Sequence, residues 1–222
     1  MKSNISTEIL SFLKDLKANN NREWFLANKN RFEVAKADFE SFIDALIAKI
    51  SVFDPSIAQH KAKDCVFRIY RDVRVSKDKS PYKTHFGAHI TATNSKSDVH
   101  SMSGYYIHIE SGETILAGGA YLPQGDWLKA IRQEIDYNGN ELVKILENPD
   151  FRSIFGEIEG EKLKRMPKGY PEDHKHIELL KLKSFLATHR VSDKEITKDD
   201  FLDTAATVFK TLKPLGDFLN RN

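Results

Sequence analysis

Hydrophobic spacing changes twice along this chain, and the two changes restrict what it can fold into. Up to Ile50 the apolar residues recur at helical intervals. From Val66 to Ala120 they alternate, and after Pro123 the helical interval returns. Strands joined by short loops and bracketed by helices fold as an antiparallel sheet covered by those helices. The expected class is therefore α+β in a single domain, with about four or five strands and helices covering one face. Residues 1–56 form a helical N-terminal part, 64–121 the sheet, and 122–222 a mainly helical remainder.

Local signals place the elements. Ser6 stands as an N-cap before Ile9, Leu10, Phe12, Leu13 and Leu16, and Asn19-Asn20-Asn21 breaks that helix. A longer helix is expected over 22–50, with Phe25, Phe32, Phe39, Phe42, Ile43, Leu46 and Ile50 as its stripe. Strands are expected over 66–75, 85–93, 104–110 and 113–120, with 184–191 as a further candidate. The turn signal Glu110-Ser111-Gly112-Glu113 makes the third and fourth a hairpin. Residues 94–103 are polar and small, so they read as an exposed, mobile loop dispensable for folding. Further helices are expected over 127–135, 141–146 and 172–180. A last one, from about Lys198, should stop at Pro214, after the capping box Ser192 to Glu195.

Composition excludes several classes. One cysteine, Cys65, permits neither an internal disulfide nor a cysteine zinc cluster, and reads as a packing residue. A net charge of +2 is too mild for a surface built throughout to hold nucleic acid. No apolar stretch is long enough to span a bilayer, and the N-terminus lacks the apolar core of a signal peptide, so no membrane association and a cytoplasmic location are expected.

Basic charge is instead concentrated. From Lys61 to Lys83 the chain carries eight Lys or Arg against three Asp. Alternation puts Phe67, Ile69, Val73 and Val75 on one face of the first strand, opposite Arg68, Tyr70, Asp72 and Arg74. Likewise Phe86, Ala88, Ile90 and Ala92 oppose His85, Gly87, His89 and Thr91, while Tyr105, Ile107 and Ile109 oppose Tyr106, His108 and Glu110. One sheet face is dry; the other is rich in ionisable and aromatic groups, as binding surfaces are. Arg71 falls on the apolar side. It is either re-aimed by a bulge or buried against a carboxylate, and on either reading Arg71→Ala is expected to cost about 2–4 kcal/mol, by stranding the carboxylate or unpicking the sheet edge. Pro81 stiffens the loop that follows, which carries Lys77, Lys79, Tyr82 and Lys83.

The pattern Arg68-x-x-Arg71-Asp72-x-Arg74, followed by Lys79-x-Pro81-Tyr82-Lys83-Thr84, resembles the signature of domain-of-unknown-function family 2461, conserved hypothetical proteins of bacteria and fungi. The likeness extends to Asn21-Arg22-Glu23-Trp24-Phe25, Gly118-Gly119, Ala130-Ile131-Arg132 and Gly169-Tyr170 with His174. Val75 departs from it, standing where the family usually has Phe. The resemblance implies one α+β domain and brings no reaction, substrate or cofactor.

Planar Arg forks, Lys charges and a stiff loop are what phosphate or carboxylate recognition requires. Arg68, Arg71, Arg74, Lys79, Tyr82 and Lys83 are thus the candidate ligand-binding residues for an anionic small molecule. If the protein is an enzyme, Asp72 or His85 is the acid–base candidate. The competing account is a structural ionic network with a solvated loop. Another is a non-catalytic module for nucleic acid or a protein partner, with Tyr70, Tyr82 and Tyr106 stacking on bases. A metal-dependent hydrolase would use His89, His108 and Glu110. His85 and His89, about 13 Å apart along one strand, cannot chelate together. Gly118-Gly119 reads as close backbone packing.

Overall fold

Three of the alternating runs pair as read. The computed structural model describes residues 2–74, 77–93 and 98–221. In it β1 (Phe86–Ile90), β2 (Gly104–Ile109) and β3 (Ile115–Ala120) are antiparallel neighbours, and β4 (Phe185–Arg190) pairs with β3. The sheet order is β1-β2-β3-β4. Gly112, at φ +77°, turns β2 into β3, and the Glu113 N–H donates to the Glu110 carbonyl at 3.0 Å.

The expected strand over 66–75 does not form in its described residues. Residues 66–71 and 81–88 make only isolated bridges, Val66 with Ala88 and Tyr70 with Tyr82. Beyond Arg71 the chain bonds to itself: the Arg74 N–H and guanidinium both donate to Asp72. A side chain that satisfies its own neighbouring backbone removes the donors a ladder needs. Val75 lies outside the described residues. Phe67 is half-buried on the side of Tyr106, 6.5 Å between ring centroids, rather than with the buried Ile69. Ala92, expected on the dry face, is exposed beyond the end of β1.

Helices cover one face. α1 (Thr7–Ala18) and α3 (Lys29–Ile50) bring Phe12 and Phe39 onto Phe86, with centroids 6.4 and 5.4 Å away. α3 buries the expected stripe from Phe32 to Ile50, but its helix does not begin at Arg22, and Phe25 is buried from a separate element. A short α2 (Arg22–Ala27) is separated from it by Asn28, whose side-chain amide donates to the Trp24 carbonyl. The loop after α3 leads through α4 (Ala62–Cys65) to the bridged segment.

After β3, α5 (Gly125–Glu147) joins the two helices expected there across a kink at Asn138, and α6 (Pro149–Phe155) follows. The helix expected over 172–180 shrinks to α7 (Ile177–Leu180). Arg132 ties α5 to it by donating to the Leu180 and Leu182 carbonyls. After α8 (Asp193–Ile196), α9 (Phe201–Leu219) runs straight past Pro214, because the buried Leu215, Phe218 and Leu219 hold the final turn in the core. No helix among the described residues is long and apolar enough to cross a membrane.

α9 lies against β3 with little clearance. A Cβ on Gly118 would stand 2.3 Å from Leu212 Cδ2 and 2.5 Å from the Gly104 carbonyl oxygen. Gly119 adopts φ +112°, which glycine alone tolerates readily. The chain's two ends also meet. Ile5 N–H donates to Ile196 O at 2.9 Å and Leu202 N–H to Ser3 O at 2.8 Å.

Residues 94–97 of the loop expected to be mobile lie outside the described residues. Its C-terminal end is anchored, contrary to expectation: Ser103 is buried, and its backbone exchanges two hydrogen bonds with the Asn220 side chain. Ser103 thereby ties the end of α9 to the start of β2.

Candidate functional site

The bridged segment forms one wall of a cleft, and two anchors decide its position. The Tyr82 ring stacks on Phe25 of α2, centroids 4.0 Å apart and 15° between planes. Asn20, just after α1, clamps the Tyr82 backbone by donating to its carbonyl (2.9 Å) and accepting from its N–H (3.1 Å). With Tyr82 fixed, Lys83 N–H reaches Ile69 O and Arg71 N–H reaches Pro81 O. The basic loop thus leaves the sheet from a rigid base.

The open cleft has a volume of about 520 Å³ and is lined by Lys17, Asn20, Arg71, Asp78, Ser80, Tyr82, Lys83, Thr84 and His85. Three cations face it against one lining carboxylate. Arg71 is not buried in the core. Its guanidinium pairs with Asp78 and donates to Ser80 Oγ at 2.5 Å, on a side chain 26% exposed. The Arg71 bond, with help from Ser80, holds the Asp78 carboxyl down at about 2. Lys83 Nζ lies 5.2 Å from the Phe67 ring centroid, a cation–π contact.

Behind the cleft a hydrogen-bonded row runs along β2 and past its end. Tyr106 Oη is 3.0 Å from His108 Nδ1, and His108 Nε2 is 3.2 Å from Glu110 Oε2. Glu110 Oε1 accepts from Lys17 Nζ and from Thr84 Oγ1, each at 2.9 Å. His85 stacks on His108 with centroids 4.0 Å apart. Gly87 makes room for this row, since a Cβ there would press the Tyr106 hydroxyl at 3.2 Å.

The electrostatics follow from burial and partners. Burial, and then the neighbouring His108, push His85 down to about 4, so it is neutral at pH 7. Burial alone would raise the Glu110 carboxyl, but its hydrogen-bond contacts with Lys17, Thr84 and His108 outweigh it and leave the group below its ordinary value. The same contact raises Lys17. Burial pushes the Tyr106 phenol up to about 12.

The sequence-derived candidates divide. Arg71, Tyr82, Lys83 and His85 come together at the cleft; the Tyr82 ring serves as its anchor. Arg74 and Asp72 instead pair with each other on the surface, Arg74 depressing the Asp72 carboxyl, and Lys79 donates to the Val73 carbonyl. None of these three lines the cleft, nor does the exposed Arg68. Among the metal candidates, His108 and Glu110 meet His85, with one donor atom from each within 4.8 Å of the others. His89 pairs with Tyr106 across the strands, Gly87 taking the place opposite His108. His89 is buried, and burial lowers it to about 4.

Sequence reasoning missed Lys17 and Asn20. Both stand at the end of α1, far along the chain, and tertiary packing such as that of Phe12 on Phe86 brings them here. The one available signal was the triple Asn19-Asn20-Asn21, rich in side-chain amides for clamping a backbone.

A family model described as "Conserved hypothetical protein (DUF2461)" matches residues 8–218. The match takes in every residue of the cleft and of the row behind it. No curated protein and no solved structure matches the chain.

Proposed function

Since the chain belongs to the conserved hypothetical family DUF2461, whose description names no reaction, we propose a function from the geometry of the cleft: it binds a small anion bearing a phosphate or carboxylate group. The observation that carries this reading is the convergence of Lys17, Arg71 and Lys83 on one open cleft with a single lining carboxylate. Arg71 offers a planar fork whose direction Asp78 and Ser80 fix in advance, and pre-set donors lose less freedom on binding. Asn20 and Tyr82 hold the wall that bears Lys83, so the cations keep their spacing. If the ligand is turned over, His85 is the acid–base candidate. It is neutral at pH 7 and lines the cleft, whereas Asp72 is occupied by Arg74 at the surface.

The test is a thermal-shift titration of metal-stripped protein with inorganic phosphate, a sugar phosphate, citrate and a short oligonucleotide. A ligand at a hundred times its Kd adds about 2.7 kcal/mol to stability. Lys83→Gln should remove the shift and Lys79→Gln should preserve it, with the wild-type shift shrinking as salt rises. No shift with any small anion, or equal loss in both variants, would refute the cleft as the site. A shift confined to the oligonucleotide would favour a nucleic-acid module.

A further inference from the structure

We propose that His85, His108 and Glu110 bind one divalent transition-metal ion of zinc-like preference. Imidazole and carboxylate donors in a set of three are the ligands such an ion takes when its fourth position is left for water or substrate. One donor atom from each residue lies within 4.8 Å of the others. His108 Nε2 and Glu110 Oε2 stand 3.2 Å apart, close to the separation of about 3.3 Å that two ligands adopt around tetrahedral zinc. The widest pair need close by only about 1.5 Å to match that spacing, within reach of side-chain rotation.

A hydrogen bond would explain the His108–Glu110 distance by itself. It does not explain His85, whose ring nitrogens make no hydrogen bond to any described residue although the ring is half-buried and stacked on His108. Nor does it explain how completely the outer atoms are engaged. Tyr106 Oη stands at His108 Nδ1, the position from which an outer partner fixes the ring tautomer and leaves the Nε2 lone pair for a metal. Lys17 and Thr84 both hold Glu110 Oε1, so Oε2 keeps its direction. The His85 side lines the cleft, so the fourth position opens toward the cations, and an anion held there could supply an oxygen to the ion. The metal site itself stands without the anion reading.

The experiment uses the full chain, stripped with a chelating resin and titrated with Zn²⁺ by calorimetry and with Co²⁺ by visible absorption, in phosphate-free buffer. The expected result is one ion per chain at micromolar Kd or tighter, with the intense visible bands of low-coordinate Co²⁺. His85→Ala and Glu110→Gln should each weaken binding at least tenfold, and Tyr106→Phe severalfold, while His100→Ala, at a histidine set against Tyr121 and outside the cleft lining, binds as wild type does. His85→Ala removes no hydrogen bond, and its circular dichroism checks that it still folds. Wild-type binding no tighter than millimolar, or binding that survives both His85→Ala and Glu110→Gln, overturns the proposal. With no anion present, that failure leaves the phosphate titration of stripped protein to be judged separately.

Discussion

Acid should weaken this fold well before its carboxylates titrate, and His89 should account for a defined share of the loss. The side chain is 4% exposed, and among the described residues its Nδ1 has no hydrogen-bond partner. Burial pushes its pKa down to about 4, with only Asp98 opposing. The folded state therefore holds His89 neutral, while the unfolded chain protonates it near its ordinary value. Between those two values the unfolded state binds more protons, so stability rises with pH and falls as pH is lowered. Each pH step in that window costs about 1.4 kcal/mol, which amounts to about 2 kcal/mol by pH 5 and about 3 kcal/mol by pH 4. Urea denaturation at intervals from pH 7.5 to 4, on wild type and His89→Gln, isolates this share, because every other titrating group is common to both. The wild type should lose about 3 kcal/mol more than the variant across the window. Parallel curves would refute the reasoning and mean that His89 finds a partner for its charged form.

Three further substitutions test the packing. Gly118→Ala should cost about 2–4 kcal/mol, because the Leu212 methyl can shift but the Gly104 carbonyl cannot; an unchanged denaturation midpoint would show that α9 can lift from β3. Asn20→Ala removes both bonds to the Tyr82 backbone and should cost about 1–3 kcal/mol while loosening the cleft wall, seen as faster amide exchange at Tyr82 and Lys83. Arg71→Ala should cost only about 1 kcal/mol, since its Asp78 partner is largely exposed; a loss of 2–4 kcal/mol would return Arg71 to the buried state that the alternation suggested.

How much was legible in the sequence depended on the range of the interaction. The stripes of α1 and α3 and the turn at Gly112 are set within a few residues, and periodicity alone finds them. The segment from Val66 alternates just as well, yet pairing needs a partner with free donors, and Asp72 consumes those of Arg74. Pro214 read as a stop because a local rule cannot weigh the buried residues beyond it. The meeting of His85 with His108 and Glu110 depends on the β1–β2 register, which no local spacing fixes. A shift of two residues would have put His89 opposite His108 instead. The division of Arg71 and Lys83 from Arg74 and Lys79 was equally hidden, because a string of cations does not say where the chain turns.

The late position of α9 has a consequence for how the chain emerges during synthesis. The sheet is three strands complete once Ala120 is made, but the helix that seals Gly118 against Leu212 ends at Leu219. At ordinary elongation rates roughly 5–20 seconds separate those two points. Throughout that interval the dry face around Leu116 and Tyr105 lacks the cover of α9, whose Phe209 packs on Tyr105, and the β3 edge awaits β4. A nascent chain that stalls in this window presents both a greasy surface and an unpaired strand, the two features that recruit chaperones or seed aggregates. The bonds from Ile5 to Ile196 and from Leu202 to Ser3 then act as a closing clasp, made only when the last hundred residues are nearly out.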